Sequence, residues 1–160
     1  MSIIDTLITD RTQADVDALR ALYSKPTAAW TAEERVEFLR GEHKGAYNAS
    51  DMNRVLDAMD ELEAELTQCG VMVAQRPELD RFAAGSLPGE REFIRYLEQV
   101  TAFRTVLPLP AETPDVPGGV RGLTVQQAND IEGILVALAR RLEQIRRDWL
   151  YCGEVFCGEG

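Results

Sequence analysis

Few side chains in this sequence are of types and spacings that could do chemistry. The one histidine is His43, in Gly-Glu-His-Lys-Gly between two glycines, beside Glu42 and Lys44. Nucleophilic or general-base catalysis through an imidazole would have to use it, and this context reads as a solvated turn. The cysteines Cys69, Cys152 and Cys157 are odd in number and widely split. They form no disulfide framework, and no histidine lies near them to complete a metal site. Neither His-Glu-x-x-His nor Cys-x-x-Cys nor a Gly-x-Ser-x-Gly elbow occurs. The run Gly118-Gly119-Val120-Arg121-Gly122 precedes a helix start, but no strand leads into it and no phosphate-loop lysine follows. It reads as a flexible link rather than an anion cradle. The acid pairs Asp60/Glu63 and Glu61/Glu65 lack a further ligand and read as a solvated helix face. Catalytic, cofactor-binding and metal residues are therefore assigned to none.

Composition narrows the classes further. The chain has 160 residues, a formal charge of −10 and 45% hydrophobic residues, enough to bury one core. That acidity disfavours a phosphate-contacting nucleic-acid surface and an anionic membrane alike, and favours solubility and contact with protein. No run approaches the ~18 apolar residues of a membrane span. The first residues, MSIIDTLITD, lack the basic start and cleavage site of a signal peptide, so a cytoplasmic product is expected.

The elements that position these residues are helices. Residues 123–149 carry Ile131, Leu135, Leu138, Leu142, Ile145 and Trp149 at three- and four-residue spacing, one stripe of a helix about 40 Å long. Thr124 with Gln127 forms its capping box. A first helix is expected from Thr12, capped with Asp15, with Val16, Leu19, Leu22 and Tyr23 on one face, ending at Lys25-Pro26. Thr31 with Glu34 opens a short second helix through about Arg40, with Val36 and Leu39 facing inward. A third runs from about Ser50 to Gln68 through Met52, Val55, Met59, Leu62 and Leu66, closed by Gly70. A fourth, about 90–105, packs through Phe93, Ile94, Leu97, Val100 and Phe103. Ile3, Ile4, Leu7 and Ile8 form either an arm onto a neighbour or a lead-in segment. Tyr47 is expected as a buried anchor.

Pro108, Pro110, Pro114 and Pro117 exclude a helix or central strand from 107–121, which reads as an extended connector. Residues 150–160 end in LYCGEVFCGEG, too apolar for a disordered end. A short extended tail is expected, either paired with another subunit or folded over its own helices. Two stretches echo one another: both open on a glycine and a cap and place an asparagine, Asn53 or Asn129, in the first turn, where its side chain can tie the preceding loop. Arg140, Arg141, Arg146 and Arg147 are the basic concentration. Arg140 and Arg147, seven apart, share a face suited to an acidic partner or to dipole compensation.

Four pieces in fixed order resemble a family of small proteins encoded in phages and prophages of Gram-positive gut bacteria, among genes for tail and other virion parts. They are LITDRTQADVDALRAL (7–22), WTAEERVEFLRGEHKGAYNASDMNRVLDAM (30–59), GLTVQQANDIEGILVAL (122–138) and DWLYCGEVFCGEG (148–160). The Lys44–Val55 segment and the aromatic-Gly-Glu tail are the most specific parts. The family often carries serine where this chain has Cys152 and Cys157. The resemblance implies a virion structural or tail-associated role and carries no catalytic residues over.

The expectation is therefore a mostly α fold, about five helices around one long C-terminal helix, with a single helical domain at 1–149 and an extended tail at 150–160. The expected function is a non-enzymatic structural or assembly protein of a phage or prophage, made in the bacterial cytoplasm and found in the virion. It would contact itself or other virion proteins through Trp149, Tyr151, Val155, Phe156, Arg140 and Arg147, and bind neither nucleic acid nor membrane. A soluble adaptor, binding another protein's helix in an apolar groove, is the alternative.

Overall fold

The computed structural model describes residues 2–41, 43–76, 78–83, 88–119 and 121–156, with side chains through 148. Among the described residues the fold is helical, without strands: α1 (Gln13–Ser24), α2 (Ala32–Arg40), α3 (Ala49–Gln68), α4 (Glu90–Thr105) and α5 (Val125–Phe156). Two 3-10 turns, Ile3–Thr6 and Thr27–Ala29, precede α1 and α2.

The helix starts follow the capping chemistry. Thr12 with Asp15, Thr31 with Glu34, and Asn48 with Asp51 form reciprocal boxes, satisfying amides left orphaned at each helix start. The Thr124 hydroxyl accepts from the Gln127 amide while Gln127 accepts from that of Thr124. Gly41 and Gly70 stop α2 and α3 at φ +67° and +72°, the left-handed conformation that glycine adopts without a Cβ penalty.

Helices α3, α4 and α5 make the main core. Met52, Val55, Met59, Leu62, Leu66, Phe93, Tyr96, Val100, Phe103, Ile131, Leu135, Leu138 and Leu142 are almost fully buried within it. Each such side chain contributes about 1.5–3 kcal/mol through removal from water. The three helices run in the same direction. Near their starts, Asp51 and Arg54 of α3 meet Glu132 of α5, and Tyr96 of α4 bonds Tyr47 just before α3. Near their ends, Arg146 of α5 bonds Glu65 and Gln68 of α3. Arg76 spans Glu63 of α3 and the Phe103 ring of α4.

Parallel helices need return segments as long as themselves. Residues 71–89 and 106–124 supply them, contributing Val71, Val73, Leu79, Phe82, Leu107, Leu109, Val116 and Leu123 to the rim of the core. Among its described residues the proline-rich connector carries neither helix nor strand, as expected, but it is broken by a turn in which the Thr113 amide donates to the Pro110 carbonyl. Arg104 secures it by donating to the Thr113 and Pro114 carbonyls.

Four expectations about the elements are corrected. Ile94, expected on the packing face of α4, is 45% exposed. The backbone stays helical through Phe156, so 150–156 are not extended. A nucleated helix gains a hydrogen bond for each residue added, whereas a lone strand has no mate. Val36 and Leu39 do not face inward: they are 44% and 78% exposed, because α2 packs beside α1 rather than on the main core. The asparagines tie distant segments instead of the preceding loops, as described below. The N-terminal residues pack on their own chain, with Ile3, Ile4 and Leu7 against the main core.

Candidate protein-interaction surface and the charged clamp behind it

Helices α1 and α2 form a satellite with its own small core of Leu19, Leu22 and Trp30, to which Ala46 adds. No residue of α2 is fully buried, and its larger apolar side chains, Val36, Phe38 and Leu39, keep much of their surface in solvent. Tyr23 is 55% exposed and Phe38 42%. With Trp30 they form an aromatic triad, Phe38 lying edge-on to Trp30 at 5.2 Å and to Tyr23 at 6.0 Å. Trp30, Phe38 and Leu39, with Thr27, Ala28 and Arg35, line an open apolar depression of about 430 Å³. Its rim cation, Arg35, donates to the Thr27 and Ala28 carbonyls. Clustered aromatic and aliphatic side chains with an arginine at the edge are the composition of protein-binding hot spots.

The satellite is fixed by a buried charged clamp. Residues 7–12 pass extended across the starts of α3 and α5. Arg11, its side chain 2% exposed, donates to Asp51 at 2.8 Å and to Glu132 at 2.6 Å. Arg54 donates to the same two carboxylates, and Glu132, fully buried, also accepts from the Ile8 amide at 2.7 Å. Two guanidinium and two carboxylate groups neutralise each other, the condition for burying charge at tolerable cost. Burial works against the charge on Arg54, but the Glu132 and Asp51 carboxylates outweigh it and hold its pKa above the ordinary value.

The Arg11 guanidinium lies over the Tyr47 ring at 5.4 Å, and the Tyr47 hydroxyl bonds that of Tyr96 at 2.6 Å. Tyr47 is thus the expected anchor, with part of its ring left at the surface. Burial, with the nearby Glu132 charge, pushes the Tyr47 phenol far above its usual pKa; burial and the Tyr47 partner do the same for Tyr96.

The two echoed asparagines complete the clamp. Asn129 accepts from the Arg11 amide at 3.0 Å and donates to the Arg11 carbonyl at 2.9 Å. Asn53 does the same to Phe82, at 2.8 and 2.9 Å. Each is the fifth residue of its helix, and each uses its carboxamide as a strand-like mate for an extended segment. Asn129 of α5 holds the entry to α1, and Asn53 of α3 holds the segment leading to α4.

His43 is not in a solvated turn. It lies between α1 and α2 with its side chain 15% exposed, Nδ1 3.7 Å from Glu37 and Nε2 buried without a hydrogen-bond partner among the described residues. The surrounding cleft, about 250 Å³, also holds Asp15, Glu34 and Lys44. Close packing draws it in: Gly45 sits so tightly on α1 that a Cβ there would meet the Asp15 carbonyl oxygen at 2.2 Å.

Of the residues expected to meet a partner, Trp149, Tyr151, Val155 and Phe156 lie on the helical extension, their side chains outside the described residues. Arg140 is exposed, and Arg147 pairs with Glu143 one turn back. Neither lines the α1–α2 depression. Among the described residues no three or more His, Cys, Asp or Glu side chains are grouped to hold a metal, and no helix is long and apolar enough to cross a membrane. The clamp went unnoticed in the sequence, although Glu132 carried a signal: it lies four residues after Ala128 and three before Leu135, inside the apolar stripe.

No family model, curated protein or solved structure matches the chain.

Proposed function

We propose that the protein is a non-enzymatic assembly component, of the virion or tail-associated kind found in phages and prophages, working by protein–protein contact. The observation that carries this reading is the outward apolar face of α2, where Leu39 is 78% exposed beside the Trp30–Phe38–Tyr23 triad. Large apolar side chains held together on a small, well-capped satellite favour burial against another protein surface. The four-segment resemblance to phage-encoded proteins supplies the context. The charged clamp supports the same reading in a different way. Its carboxylates are spent on the two guanidinium groups and on backbone amides, which fixes the satellite and so lowers the ordering cost of binding.

Purified particles of the phage that carries the gene provide the test. Quantitative mass spectrometry of particles banded in a density gradient should find the chain at a fixed ratio to the other virion proteins. Its recovery only in the particle-free fraction would overturn the virion reading. The second reading, an adaptor that seats another protein's helix, is favoured by the groove-like form of the Trp30–Leu39 depression. It predicts a monomer that binds a discrete helical segment outside any particle.

A further inference from the structure

We propose that the depression on α1–α2 of one copy receives the end of α5, residues 149–156, of a second copy, so that copies associate head to tail. The inference rests on the assembly reading above and names its partner.

Chemistry matches the two surfaces. The depression is apolar and aromatic, and Arg35 is the charged residue lining it. Residues 149–156, Trp-Leu-Tyr-Cys-Gly-Glu-Val-Phe, carry three aromatic side chains and one charge, the acidic Glu154. Amphipathic or aromatic helix ends seat in such grooves through a few large anchors spaced by three or four residues. Tyr151 and Val155 have that spacing.

Geometry excludes the chain's own tail as occupant. The satellite lies at the starts of α3 and α5: Arg11 reaches Asp51 and Glu132, and the Gly41 carbonyl accepts from Asn48 and Ser50 at the α3 start. Trp149 lies at the other end of α5, beyond the Arg146 contact with Glu65. Twenty-four residues of helix separate it from Val125, about 36 Å at 1.5 Å per residue. The helix continues away through Phe156. A donor at one end and an acceptor at the other let copies add in rings or open fibres, or close as an antiparallel pair that exchanges both ends.

Complementation between two full-length variants tests this. Leu39→Asp, at an exposed position, disables the acceptor. The triple variant Tyr151→Ser, Val155→Ser, Phe156→Ser disables the donor. Light scattering over a concentration series should show the unaltered chain associating, as a reciprocal dimer or larger, and each variant remaining monomeric. An equimolar mixture of the two should give a 1:1 dimer that grows no further, because one functional donor meets one functional acceptor. Circular dichroism that matches the unaltered chain establishes that each variant is folded.

If the triple variant still self-associates while Leu39→Asp does not, the depression pairs with itself and the head-to-tail proposal falls, with the assembly reading intact. A monomeric full chain at every concentration, or a mixture that stays monomeric, also overturns it. In those cases the particle analysis above decides separately whether the assembly reading survives.

Discussion

Replacing Glu132 by Gln removes one charge from the buried clamp and keeps its shape. Glu132 accepts four hydrogen bonds, from the Ile8 amide, from Arg11 and twice from Arg54. A carboxamide offers one acceptor oxygen and a donor nitrogen, and each Glu132 oxygen accepts two bonds, so two contacts, at least one of them with an arginine, become donor against donor. Asp51 then faces two guanidinium groups alone. Arg54, its side chain 17% exposed, can turn partly to water, but Arg11, 2% exposed, cannot. Breaking a buried ion pair from one side costs about 3–5 kcal/mol. With an m-value of about 2 kcal/mol/M in urea, the unfolding midpoint should fall by about 1.5–2.5 M. Arg54→Ala leaves two buried carboxylates to share one guanidinium and should likewise cost about 3–5 kcal/mol. Urea unfolding followed by far-ultraviolet circular dichroism measures both. A loss below about 1 kcal/mol for either variant would refute the claim that these buried charges hold the arm and satellite in place.

Other consequences are open to the same kind of measurement. Asn129→Ala strands both the amide and the carbonyl of Arg11 in a buried setting and should destabilise by about 2–4 kcal/mol. Hydrogen exchange should show Arg11 losing protection, while Asn53→Ala exposes Phe82 at smaller cost because that site is only partly buried. Gly45→Ala drives a methyl group into the Asp15 carbonyl and should displace α1, costing about 1–3 kcal/mol and changing Trp30 fluorescence. Tyr47 and Tyr96 have folded pKa values raised above their unfolded value near 10. Their contribution is therefore complete below pH 10 and is lost as pH rises towards the folded values. Alkaline unfolding should begin above pH 10, and the double Phe variant should flatten it. Glu61, held below its usual pKa first by the Ser2 hydroxyl and then by the Ile3 amide, stabilises the arm above its unfolded pKa near 4.5 and loses that contribution as pH falls through its lower folded value. Protection of the Ile3 and Ile4 amides relative to their intrinsic exchange rates should fall on acidification, and Glu61→Gln should give that fall already at neutral pH.

The helices were legible because their starts are written in short-range chemistry. Thr12/Asp15, Thr31/Glu34 and Thr124/Gln127 each announce a helix within four residues, and Gly70 ends one. The direction of α4 and α5 was not legible, since no periodicity encodes it; the nineteen-residue connectors at 71–89 and 106–124 were its trace. The apolar residues 150–156 fit an extended tail and a helix alike, and Gly153 costs a helix only about 1 kcal/mol. For α2, the positions of Val36 and Leu39 fit a buried face, and their exposure follows from where the satellite docks. The clamp depends on residues 121 positions apart in sequence, Arg11 and Glu132, which local patterns do not join. The asparagine echo did point to the right side chains, while the segments they hold emerged only from the tertiary arrangement.

The central claim, that the α2 face and the end of α5 are surfaces meant for burial between copies, is tested most directly by amide hydrogen exchange at two protein concentrations. The account predicts that protection of residues 32–40 and 149–156 rises together with concentration, while exchange across α3 and α4 stays constant. Unchanged exchange in both segments, at concentrations where light scattering shows the chain to be associated, would contradict it.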